Sequence, residues 1–124
     1  MLETEKTIKT ISSYEVAKMM GKEHWEVLRM LEGCEKPKIV GIIPTLKQTV
    51  ELLVANYFIE STYNDRGRQL KCYECTKMGC DILANKMTGE KGILFTARYV
   101  KRFKDGVDII DLKTYTSAVS VLNL

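Results

Sequence analysis

The chain has 124 residues, 45% of them hydrophobic and 28% charged, with a net charge of +3. That length leaves room for one domain and little more, and the composition excludes a disordered chain. The charge is too small to require a polyanionic partner, so the placement of the basic residues matters more than their sum. No apolar run approaches the roughly 20 residues a membrane helix needs. The polar start "MLETEKTIKT" lacks the apolar stretch of a signal peptide. A cytosolic protein whose four cysteines are reduced thiols is the expectation.

In chain order, "TIKTIS" (7–12) alternates weakly and reads as a short lead-in strand. Ser13 is placed to cap a helix over residues 14–20, with Glu15 at its positive end and Gly21 stopping it in the left-handed conformation. A second helix is expected over 23–32, ending at Gly33. "CEKPKIVGIIP" (34–44), with a proline towards each end, reads as a loop with at most a short strand. A third helix is expected over 46–57, with Leu46, Val50, Leu53 and Val54 on one stripe. "YFIESTY" and "RQLKCYEC" flank Asn64-Asp65-Arg66-Gly67, strong turn chemistry that predicts a hairpin. Thr76 then caps a fourth helix over 77–87 stopped by Gly89, and a fifth runs over 90–104. Helices followed by a hairpin and more helix point to an α+β, winged-helix-like domain: a helix-turn-helix, a β-hairpin and packed C-terminal helices. Residues 1–105 would form this domain. The tail, 106–124, carries Val107, Ile109, Ile110, Leu112, Val119, Val121 and Leu122, too many apolar residues to hang free, and is expected to pack on the domain or on a second copy.

Ala17, Gly21, Val27 and Met30 have the spacing of a helix-turn-helix: a small residue for close crossing, a glycine at the turn and two anchors for the second helix. Val16 and Met20 complete the first helix's buried stripe. The same pattern also serves a plain helical hairpin. If the second helix enters a major groove, its early residues reach base edges. Lys22, Glu23, His24 and Glu26 stand there, with Arg29 one turn on. Lys22 and Arg29 suit phosphate or guanine, whereas the glutamates suit only cytosine. Trp25, amid apolar helical spacing, reads as a core or interface residue.

"SSYEVAKMMGKEHWEVLR" and "FIESTYNDRGRQLKCYECTKMGCDILANKMTGEKGILFTARYVKRF" together resemble the Rha family of phage regulatory proteins. The features are Ser13, Glu15-Val16-Ala17, Gly21-Lys22, His24 and Val27-Leu28-Arg29; then Phe58, Glu60-Ser61, Tyr63, Gly67-Arg68, Tyr73, Thr76-Lys77, Gly79, Thr88-Gly89, Lys91 and Tyr99. The resemblance covers about residues 11–104, apart from 34–56. It implies a phage- or prophage-encoded regulator in the bacterial host, acting on DNA or as an antirepressor, with no enzymatic activity. Cys72-Tyr73-Glu74-Cys75-Thr76 departs from the family's Pro-Tyr-x-Leu-Thr.

Cys72, Cys75 and Cys80, with Cys34 or His24, have the residue types of a zinc site. Tyr73-Glu74 continues a strand instead of turning, which puts Cys72 and Cys75 on opposite faces, so they read as small hydrophobes with no metal. "TGEKG" lacks phosphate-loop spacing, and no nucleophile–base pair stands out, so neither cofactor nor catalysis is expected. The basic residues do gather. Arg66 and Arg68 lie at the hairpin tip, and "ARYVKRFK" sets Arg98, Lys101 and Arg102 on one helix face with Tyr99, Val100 and Phe103 nearer the core. The expected partner is double-stranded DNA, held by Lys22, His24 and Arg29 on the helix and by Arg66 and Arg68 on the wing, with Arg98, Lys101 and Arg102 flanking. The rival expectation is a host or phage protein as target, favoured by the acidic residues of the second helix and by Trp25. A homodimer fits either.

Overall fold

A computed structural model describes residues 7–49, 52–106 and 108–111. Strand β1 (Thr7–Ser12) runs into α1 (Ser13–Met20) and α2 (His24–Glu32); then come α3 (Ile42–Lys47) and a single 3-10 turn (Val54–Asn56). Strands β2 (Phe58–Asp65) and β3 (Arg68–Cys75) precede α4 (Lys77–Asn85), α5 (Gly89–Asp105) and β4 (Asp108–Asp111). The fold is α+β. Its small sheet has the order β2-β3-β1-β4, with every neighbouring pair antiparallel. Ile11 sits opposite Cys75 in β3, and Thr10 opposite Asp108 in β4.

The helices bury stripes at helical spacing. α1 turns Val16, Ala17 and Met20 inward, α2 Val27 and Leu31, and α5 Phe95 and Tyr99. They meet Ile11, Phe58, Cys75, Cys80 and Leu83 in one core. Each such large side chain contributes about 1.5–3 kcal/mol by leaving water. Of the expected helix-turn-helix anchors, Val27 is fully buried, whereas Met30 only flanks the core and Leu31 takes the inner place.

The lead-in strand, the first two helices and the hairpin lie where the sequence puts them. Four local details differ. Ser12, not Ser13, caps α1, its side chain accepting from the Tyr14 amide. The third helix is Ile42–Lys47, not 46–57. Pro44 falls in its first turn, where an amide hydrogen has no intrahelical partner to lose, and Thr45 fastens that turn through its amide and hydroxyl to the Gly41 carbonyl. Val50 lies outside the described residues. The fourth helix ends at Asn85, two residues before its expected end at residue 87, and Gly89 opens α5 instead of closing α4. Val100, expected near the core, is 41% exposed. Of the apolar tail residues, Val107, Leu112, Val119, Val121 and Leu122 lie outside the described residues, and Ile109 and Ile110 belong to β4.

Candidate nucleic-acid interface

The corner between α1 and α2 turns at Gly21, whose φ is 76° and whose amide reaches the Ala17 and Lys18 carbonyls. Beneath it lies Ser13, fully buried. Its Oγ accepts the Tyr73 amide hydrogen at 2.9 Å and lies 2.8 Å from Nε2 of His24, the first residue of α2. Burial lowers the histidine pKa from its ordinary 6.5, so the ring is neutral near pH 7. With the ring's own proton assigned to Nδ1, the serine hydroxyl donates to Nε2. In that tautomer His24 keeps one donor, Nδ1–H, for anything outside.

Around this ring stand Tyr14 of α1 and Tyr63 of β2. The tyrosine rings are 4.8 Å apart, and His24 meets Tyr63 edge-on at 5.8 Å. At its far end α2 is latched by Glu32, which accepts from Lys71 Nζ at 2.8 Å and from Tyr73 Oη at 2.7 Å. Burial pushes the Glu32 carboxyl up, but the hydrogen bonds from Lys71 and Tyr73 outweigh it and leave it below the usual range. Both ends of α2 are thus tied to the β2–β3 hairpin.

The outer surface of α2 is mixed. Glu23 and Glu26 form a capping box, the Glu26 carboxylate accepting the Glu23 amide hydrogen at 2.9 Å. Their charge is therefore turned on the helix's own positive end. Trp25 is 54% exposed, and the Arg29 guanidinium lies over its ring, 5.0 Å from the centroid. Lys22 is half-buried in the turn.

The hairpin turns through Arg66 and Gly67 with φ of 56° and 85°. Both values are left-handed, the two-residue geometry that matches the strands' twist. Asn64 Oδ1 accepts the Gly67 amide hydrogen at 3.1 Å. Arg66 is exposed, and Arg68 pairs with Asp65 at 3.5 Å, also in solvent, where such a pair contributes about 0–1 kcal/mol.

The basic residues of α5 are engaged elsewhere. Arg98 Nη1 donates to the Met19 carbonyl at 2.8 Å, and Arg102 Nε donates to Glu15 at 2.7 Å; Lys101 pairs with Asp105 on its own helix. Arg98 and Arg102 fasten α5 to α1, while Lys101 faces out. The structure sets Lys22 and His24 at the α1–α2 corner and Arg29 in the last turn of α2 over Trp25, leaves Arg66 and Arg68 at the hairpin tip, and sets the α5 cations on another helix.

Burial raises the thiols of Cys75, well above the ordinary range, of Cys80, to about 12, and of Cys72. They are neutral groups of the core. Among the described residues, no three His, Cys, Asp or Glu side chains gather to hold a metal ion. No described helix is long and apolar enough to cross a membrane. Sequence reasoning missed Ser13, Glu32, Tyr14 and Tyr63 as parts of this surface. Only Ser13, adjacent to the true cap, carried any local signal.

The described residues form a small α+β domain that presents a helix corner and a hairpin tip. The sequence pattern of phage regulatory protein Rha matches residues 11–105, and the chain belongs to that family. It is 46% identical over 96 residues to the "SPbeta prophage-derived putative antirepressor protein YoqD" of Bacillus subtilis (strain 168). The match takes in 77% of this chain and 35% of that protein, so the chain spans about a third of its relative's length. No solved structure matches the chain.

Proposed function

We propose that the chain is a phage- or prophage-encoded regulator that binds double-stranded DNA, working in the cytoplasm of the bacterial host and catalysing nothing. In this reading residues 1–105 are a winged-helix-like domain, 106–124 a short packed tail, α2 the helix that enters the major groove and the β2–β3 turn the wing. One observation carries it: Tyr63 of the hairpin packs on His24 at the start of α2, 5.8 Å ring to ring, so wing and helix form one continuous surface. Lys22, Arg66 and Arg68 supply phosphate contacts, and Arg29 and the Nδ1–H of His24 lie nearer the bases. Arg98, Lys101 and Arg102 add to the field at the flank and contact DNA less, because they already serve Met19, Asp105 and Glu15. A second copy on a two-fold site would double the contacts.

The alternative reading, an antagonist of a host or phage protein, is favoured by the carboxylates of Glu23 and Glu26 at the α2 N-terminus, which repel phosphate, and by the printed name of the relative. Fluorescence anisotropy separates the two. The parent should bind random duplex at low salt. Arg66→Ala with Arg68→Ala should weaken all duplexes alike and flatten the log–log salt dependence by about one unit per lost phosphate contact. Arg29→Ala should narrow the gap between preferred and random sequence by ~1–3 kcal/mol if it holds a guanine. A parent that binds no duplex at low salt moves the assignment to the protein antagonist.

A further inference from the structure

Helix α5 has two unlike faces. Phe95 and Tyr99 lie in the core, each no more than 2% exposed. At a helix's 3.6 residues per turn, the opposite face is centred on Ala97 and carries Glu90, Ile93, Leu94, Val100, Lys101 and Lys104. Its middle is apolar: Ile93 is 70% exposed, Leu94 48% and Val100 41%. A surface helix normally turns polar residues this way, and an apolar patch rimmed by charges marks an interaction site. A groove of about 650 Å³ along the α4–α5 corner, lined by Met87, Gly92, Ile93, Ala97 and Val100, adjoins the stripe.

We propose that this face pairs with the same face of a second copy, the two α5 helices lying antiparallel about a two-fold axis beside Ala97. The order of charges selects a copy over other occupants. Glu90 stands seven positions before Ala97 and Lys104 seven after it. Antiparallel pairing sets Glu90 against the C-terminal lysines of the other helix and repeats the contact across the axis, as an isologous interface requires. Ile93 meets the other helix's Val100, and Leu94 lies along the stem of its Lys101. Parallel pairing would oppose Glu90 to Glu90 and lysine to lysine. Glu90 has no hydrogen-bond or ion-pair partner among the described residues. Ala97, small and exposed at the centre, lets the axes approach to about 8 Å, the close end of helix packing. The α1 contacts through Arg98 and Arg102 lie on the helix's flank, so the α1–α2 corner and the hairpin tip stay open.

Sedimentation of the full chain tests the pairing without any DNA. The parent should show a concentration-dependent dimer, and Ile93→Glu should be monomeric with an unchanged circular-dichroism spectrum, because Ile93 packs little within its own chain. Glu90→Lys and Lys104→Glu should each weaken the dimer several-fold, roughly three- to tenfold for two rim ion pairs, and the two together should restore it. A parent that stays monomeric at about 100 µM overturns the proposal. Cross-links from α5 to residues 112–124 in that monomer would name the chain's own C-terminal segment as the occupant. A dimer indifferent to Ile93→Glu, or charge reversals that fail to restore each other, overturns it equally.

Discussion

Two helix pairs frame the molecule, α1–α2 and α4–α5, and each turns at a glycine of left-handed conformation. They differ in what fastens them and in what they leave outside. The first is fastened by a polar core element, Ser13 between the Tyr73 amide and His24, and its outer residues are Lys22, Glu23, Glu26 and Arg29 around Trp25. In the second, α5 buries the Phe95 and Tyr99 rings in the common core, Tyr99 Oη donates to Asp81 of α4 at 2.5 Å, and Ile93, Leu94 and Val100 are exposed. Packing of Phe95 by volume depends little on pH, and burial raises the Tyr99 hydroxyl above its ordinary range, so its bond to Asp81 keeps its proton near neutrality. Packing through a serine and a histidine depends on protonation, and a single hydroxyl holds helix, strand and ring together. The proposed DNA contacts use the first corner, and the proposed pairing of two copies uses the second.

The largest effect should come from the second corner. Phe95 is wholly buried, and Phe95→Ala should cost about 3–5 kcal/mol in lost transfer energy and cavity. That is a large share of the roughly 5–15 kcal/mol available to a domain. Urea denaturation followed by circular dichroism measures it, with the exposed Lys91→Ala as a control expected within about 0.5 kcal/mol of the parent. A Phe95→Ala loss no greater than that of Lys91→Ala would mean that α5 is not part of the common core, and the comparison of two corners of one core would collapse.

Ser13→Ala should be next, at about 1–3 kcal/mol, because it strands a buried amide hydrogen and removes the partner of His24. The same corner should respond to pH. The folded chain holds His24 below its ordinary 6.5, so as the pH falls past that value the unfolded chain takes up the proton first. Stability is present above this window and lost as the pH drops through the lower folded value. Glu32, also held low, acts only beneath the ordinary carboxylate value of 4.5, so midpoints taken between about pH 7.5 and about pH 5 isolate the histidine. His24→Gln should flatten that slope, and Phe95→Ala should leave it unchanged. An equal slope in parent and His24→Gln defeats the idea of a protonation-sensitive corner.

Much of this contrast was legible in the sequence, and what was legible is local chemistry. Gly21, the Asn64–Gly67 turn and the Thr76 cap each act within four residues, so spacing alone reveals them. Thr76 Oγ1 accepts the Gly79 amide hydrogen as expected. The choice between Ser12 and Ser13 as cap was not legible, because it is settled by Tyr73, 60 residues away in sequence from Ser13. Glu32 reads as one more acidic residue on a helix, yet its partners stand 39 and 41 positions on. The stretch before β2 misled for a different reason: "IVGIIP" is β-branched and proline-ended, but Ile42, Ile43 and Leu46 are buried at helical spacing and override that local preference. Within the candidate site, the basic residues were visible as types. That Arg98 and Arg102 are occupied by α1, and that Nε2 of His24 is held by Ser13, are tertiary facts.

The smallest predicted effect tests whether the two corners are alike where the comparison says they are. Gly21 has φ 76° and Gly89 φ 66°, and a methyl group built on either meets nothing within 4 Å. No clash is therefore in play, and the cost of Gly→Ala at each is the strain of holding an L-residue in the left-handed region, about 1–2 kcal/mol. Asparagine tolerates that region better, so Gly21→Asn and Gly89→Asn should recover part of the loss. Chemical denaturation of the four variants measures this, and the two alanine variants should agree within about 0.5 kcal/mol. A Gly89→Ala variant as stable as the parent would show that α5 can begin without its left-handed residue and that the shared glycine geometry is incidental. Equal losses with equal asparagine recovery would leave the difference between the corners where the structure puts it, in a serine and a histidine on one side and, on the other, two aromatic rings with the Tyr99–Asp81 hydrogen bond.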